Sequence, residues 1–72
     1  MENYNIRDNQ GRLIDGILPE VDDDRYYYWV VIDRKDVYYD SSKEEAIEVL
    51  QELMEARDEW NLEEKITEIN NR

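Results

Sequence analysis

Arg25-Tyr26-Tyr27-Tyr28-Trp29-Val30-Val31-Ile32-Asp33 is the stretch that decides the fold. Aromatic and β-branched residues fill its interior, the types that suit a pleated, half-buried strand. Side chains alternate across a strand. Tyr26, Tyr28, Val30 and Ile32 therefore share one face, and Tyr27, Trp29 and Val31 share the other. Both faces are apolar, so the rest of the chain must cover at least one of them.

Toward the C-terminus, Asp33-Arg34-Lys35-Asp36 reads as a polar turn and Val37 to Asp40 as a short returning strand, a hairpin with a longer loop. Ser42 is the expected N-cap of a helix, and Glu45 completes a capping box. The early acids suit the positive end of the helix dipole. Ala46, Ile47, Val49, Leu50, Leu53, Met54, Ala56 and Trp60 form one wide apolar stripe, with Glu48, Gln51, Glu52, Glu55 and Glu59 opposite. Leu62, Ile66 and Ile69 repeat the helical spacing, but at about 100° per residue they would fall on the acidic face of a straight helix. That phase shift predicts a break near Trp60-Asn61 and a short second helix, with Asn61 and Glu64 as a second capping pair. The alternative is one continuous helix whose second apolar patch meets a partner.

Toward the N-terminus, Tyr4 to Arg7 is a short strand and Asp8-Asn9-Gln10-Gly11 a turn, with Gly11 supplying positive φ. Arg12 to Leu18 returns as the second arm, with a bulge or bend at Gly16. Pro19 is expected to end that arm, because it cannot donate to a ladder. Glu20 to Asp24 then reads as an acidic connector. Strands first and helix after give a single α+β domain. A three- to four-stranded antiparallel sheet packs on one long amphipathic helix, followed by a short C-terminal helix.

The 72 residues carry 20 acids against 9 bases, a net charge of −11. That repels nucleic acid and attracts basic surfaces. High charge with low hydropathy is also a signature of disorder, but six tyrosines and two tryptophans argue for a core. There is no cysteine, hence no disulfide and no thiolate metal site, which fits a reducing cytosol. The first ten residues hold no apolar run of the kind a signal peptide needs. The longest uncharged run, Tyr26 to Ile32, is too short to span a bilayer.

Catalytic chemistry is poorly provided for. Histidine is absent, which removes the commonest base and metal ligand. Ser41 and Ser42 are explained as helix-start residues, and Thr67 has no activating neighbour in sequence. Asp22-Asp23-Asp24 lacks the alternating ligands, turn glycine and distant glutamate of a calcium loop. It reads as a solvated acidic loop. No cofactor is expected, and an enzyme is not.

Binding is better provided for. Glu48, Glu52, Glu55 and Glu59 follow at steps of four, three and four residues, an axial spacing of about 4.5 to 6 Å. That approaches the charge repeat along one nucleic-acid strand, about 3.4 Å per phosphate. Lys43, Arg57 and Lys65 are the only bases from Asp40 to Glu68, against eleven acids. Like charges at four-residue spacing destabilise a helix, so a strip this one-sided points to a basic partner. Against this stands the plain alternative of a solvated helix face. One aromatic set of the hairpin must face away from the helix, and is an exposed patch unless the amino-terminal segment covers it; Tyr27 and Trp29, with the acidic loop Asp22, Asp23 and Asp24, complete the candidate partner-binding set.

The tyrosine-rich hairpin, the Ser42-Lys43-Glu44-Glu45-Ala46-Ile47 helix start and the glutamate-lined helix, in a small acidic chain without cysteine, resemble the small phage-encoded inhibitors. These include anti-CRISPR proteins and other DNA mimics. The resemblance is one of style over most of the chain and rests on no diagnostic motif. It implies a protein acting in the host cytosol that blocks the DNA- or RNA-binding groove of a defence nuclease such as a CRISPR effector. The other expectation is a non-mimic module, antitoxin-like or regulatory. It would dock through the hairpin aromatics or the Leu62-Ile66-Ile69 stripe, with a homodimer as one form it could take.

Overall fold

Tight turns set the order of the sheet. The structure, a computed structural model, describes residues 5–72; the expected strand position Tyr4 lies outside them. Four strands, β1 (Ile6–Arg7), β2 (Leu13–Asp22), β3 (Arg25–Ile32) and β4 (Lys35–Asp40), pair antiparallel in chain order. Two helices follow, α1 (Lys43–Asp58) and α2 (Leu62–Asn70). The result is the expected α+β architecture, with the helix break where the phase shift placed it.

Two of the turns differ from expectation. Asp22-Asp23-Asp24 is no loose connector: β2 runs on through Pro19 to Asp22 and pairs with β3 along that whole length. Asp23 and Asp24 then form a two-residue turn, both at positive φ (49° and 63°), the pattern of a type I′ hairpin. Aspartate tolerates that region better than most side chains. Asp33 and Arg34 (50° and 70°) make a second such turn, so the β3–β4 loop is tight and not long. Pro19 survives inside a strand because β1 pairs with β2 only from Leu13 to Asp15. Beyond that point β2 is an edge, where a missing N–H breaks no ladder bond. The first turn matches expectation. Gly11 adopts φ 81°, and the Asp8 carboxylate accepts the N–H groups of Gln10 and Arg12, each at 2.9 Å.

Gly16 is required by a close approach. The Asn5 side chain crosses over it so that its Oδ1 accepts the Ile17 N–H at 2.9 Å, a bond that takes the place of a ladder bond. A Cβ at position 16 would collide with that oxygen and lie 2.9 Å from Leu13 Cδ1, on a backbone at φ 153°. Gly16→Ala should therefore destabilise the domain by about 2 kcal/mol, the cost of overpacking. Urea unfolding measures this, and a loss under about 0.5 kcal/mol, the scale of an indifferent surface change, would show that Asn5 simply moves aside.

The core lies between the sheet and the helices. Ile17, Val30 and Ile32 meet Ala46, Val49, Leu50 and Leu53 of α1 and Ile69 of α2. Each large side chain buried this way contributes about 1.5–3 kcal/mol. Leu62 and Ile66, half-buried, pack against this cluster, so most of the C-terminal stripe is committed to the fold. Ser42 caps α1 by accepting the Glu45 N–H at 3.3 Å, but the reciprocal half of the box is replaced. The Ser42 N–H goes to Asp40 Oδ1 at 2.8 Å. Asn61 precedes α2 without any side-chain cap bond. The far end of α2 is tied to the sheet by the Asn70 amide, which donates to the Val37 carbonyl at 2.9 Å.

Candidate acidic and aromatic binding surfaces

The α1 carboxylates do not form one uniform strip. Glu48, Glu55 and Glu59 are exposed and make no ion pair among the described residues. Glu52 is half-buried and takes Arg72 Nη1 at 3.4 Å, while the same guanidinium reaches Glu68 at 3.4 Å. The strip borders a groove between α1 and α2. One hollow of about 330 Å³ is lined by Glu48, Glu52, Glu55 and Arg72 among others. A second of about 200 Å³ is lined by Glu52, Glu55, Glu59 and Lys65. Lys65 itself pairs with Glu68 at 3.6 Å.

Arg57, one of the few helix bases, turns away from the strip. Its guanidinium grips Asp15 with two bonds of 2.9 and 3.0 Å and reaches Asp33 at 2.8 Å. Asp15 is the buried acid of the molecule's described part, 4% exposed. It also accepts the Asp33 N–H at 2.9 Å. Burial pushes its carboxyl upward, but the Arg57 bonds, the Asp33 N–H and the Arg57 charge outweigh that and hold it below the usual range. This cluster fastens α1 to the β3–β4 turn. Sequence reading missed it because nothing local distinguishes Asp15 or Arg57 from the other charges.

Trp60 also departs from expectation. It does not extend the core stripe; it stands 96% exposed. After α1, the Asn61 N–H bonds to the Ala56 carbonyl at 2.8 Å and the Trp60 N–H to the Arg57 carbonyl at 3.1 Å. This is a Schellman stop, and Trp60 fills its left-handed position at φ 59°, where glycine is usual. A bulky residue there is strained. Trp60→Gly should stabilise the domain by about 1 kcal/mol, since the left-handed cost is relieved and almost no burial is lost. A lower denaturation midpoint in the variant would contradict this and show that the indole packs.

On the sheet, Tyr27 and Trp29 project from the face away from α1, as alternation requires. Tyr39 of β4 joins them, with ring centroids 5.8 Å from Tyr27 and 5.0 Å from Trp29. This face is covered at one end, where Val31 is buried. It is open at the other, where Tyr39 is 55% and Leu18 42% exposed. Of the acidic loop, Asp22 lies on this outer face opposite Arg25, while Asp23 and Asp24 belong to the turn. The candidate residues thus fall on two surfaces, one along α1 and one on the back of the sheet. Tyr39 is one of the hairpin aromatics expected from the sequence, whereas Trp60 was expected in the core stripe.

Among the described residues, no group of three or more acids is placed to hold a metal ion, and no helix is long and apolar enough to cross a membrane. Comparison with family models, curated proteins and solved structures finds no match.

Proposed function

We propose that this chain is a binding protein, with no catalytic step of its own, that occupies the basic, phosphate-binding groove of a nucleic-acid-binding protein and blocks it. A CRISPR effector in a host cytosol is the partner that the resemblance to small phage inhibitors suggests. The observation that carries the reading is the exposed row Glu48, Glu55 and Glu59 on a rigid helix, unpaired among the described residues in a chain of net charge −11. Trp60, exposed at the turn after α1, supplies an apolar anchor. Such anchors carry a large share of interface energy, whereas rim charges mainly steer and align.

The test is binding to basic nucleic-acid-binding proteins at low salt. DNA or RNA should compete with the chain, and affinity should fall steeply as salt rises. A second reading, a regulatory module that docks through the sheet aromatics, is favoured by the exposed Tyr39 beside Trp29. It expects weak salt dependence, no competition by nucleic acid and, if the partner is a second copy, a mass that rises with concentration.

A further inference from the structure

We infer that the outer face of the sheet holds a recognition site for one arginine side chain of a partner protein, formed by Tyr27, Trp29 and Tyr39 with Glu20 and Asp22. These five residues line a shallow hollow of about 270 Å³. Its walls come from three different strands. Glu20 pairs with Tyr27 across β2 and β3, and Trp29 pairs with Tyr39 across β3 and β4. The paired backbones fix all five positions before any ligand arrives.

The chemistry selects a cation, and a planar one. The Tyr27 and Tyr39 rings meet edge to face at 77°, while Trp29 and Tyr39 are tilted by 41°. Neither pair is stacked face to face, and all three rings border the hollow. A ring face attracts a cation, most strongly for tryptophan. Glu20 and Asp22, two residues apart on β2, fall on the same side of that strand and place two carboxylates along one wall. A guanidinium can stack on a ring face and donate through its fork to carboxylates at once, which an ammonium cannot do. The cation nearest in register, Arg25, lies opposite Asp22 but makes no ion pair among the described residues. The acids of the hollow are therefore not already neutralised. The site lies on the face of the sheet away from α1, so it neither includes nor depends on the Glu48, Glu55 and Glu59 row.

The experiment titrates the nitrogen-15-labelled full chain with N-acetyl-arginine methylamide and follows the two indole N–H signals. The Trp29 signal should shift and saturate at about 1–10 mM, the weak affinity expected of a single side chain. The neutral citrulline analogue should leave Trp29 unmoved, and the lysine analogue should bind at least about fivefold more weakly. Tyr39→Leu, and separately the surface pair Glu20→Gln with Asp22→Asn, should each weaken the arginine probe by about fivefold or more. An equal response to citrulline or unchanged affinity in the Glu20/Asp22 variant overturns the site. Equal affinity for the lysine analogue overturns its assignment to arginine. Reversing the α1 carboxylates should leave probe binding intact, so failure of the groove-blocking reading would not be mistaken for failure here.

Discussion

Arg57→Ala should lower the unfolding free energy by about 3 kcal/mol, the largest single loss expected from any charged residue in this fold. The cause is less the pair that is lost than the charge left behind. Asp15 is buried, and its two oxygens receive Arg57 and the Asp33 N–H. Without the guanidinium, a carboxylate would sit in the interior with one backbone donor. For a chain of this length the whole stability is about 4–10 kcal/mol, so the loss takes between about a third and three quarters of it. Asp15→Asn in the same background keeps an acceptor for the Asp33 N–H and removes the stranded charge. It should restore about 1–2 kcal/mol, which a double-mutant cycle reads directly. Additive losses would mean that the pair contributes nothing specific.

The pH dependence follows from the same carboxylate. Its folded pKa is depressed, so its contribution is fully present above the unfolded carboxyl value of about 3.9 and is lost as pH falls through the lower folded value. In the Arg57→Ala chain the sign reverses, because burial alone then acts and protonation relieves it. The stability gap between the two proteins should be widest at neutral pH and should close below about pH 4. A gap that stays constant from pH 7 to pH 3 would place the effect elsewhere.

Reversing Glu48, Glu55 and Glu59 to lysine should abolish capture of a basic partner while leaving the fold slightly more stable. Three reversals of two units each take the net charge from −11 to −5. Affinity at low salt should drop by about 100-fold or more, because attraction becomes repulsion along the contacting helix. Stability should move the other way. Lysines at 48 and 55 would flank Glu52 at helical spacing and turn like-charge pairs into favourable ones, a few tenths of a kcal/mol each. Opposite signs for binding and folding are what separates a functional strip from a solvated face. Unchanged affinity in a folded triple variant would sink the groove-blocking reading, whatever the aromatic surface does.

The parts of this fold that were legible in sequence are those governed by local periodicity. Alternation in Tyr26 to Ile32 gave both sheet faces correctly, and the phase slip at Leu62 gave the helix break. Elements governed by contacts distant in sequence were not legible. Pro19 looked like a strand end because its harmlessness depends on how short β1 is. Asp23-Asp24 and Asp33-Arg34 looked like loops because two-residue turns of this type normally advertise themselves with glycine or asparagine. The site divides in the same way. The Glu48-to-Glu59 spacing could be counted, but the loss of Glu52 to Arg72 depends on α2 folding back twenty residues later. Trp60 fits the apolar register of α1, and only the Schellman stop turns it outward.

The sheet is a meander: spatial order and chain order coincide, and no strand waits for a partner beyond its neighbour. Loop closure is thus brief at every step, and assembly can proceed hairpin by hairpin. Such topologies fold quickly for their size, on the order of milliseconds for a mixed domain, and stopped-flow refolding should show a single exponential. The docking of α1 and α2 on the finished sheet spans longer stretches, 42 residues for the Arg57–Asp15 bond. A chain built this way reaches its working shape soon after it is synthesised, and with no cysteine it needs no oxidant to get there.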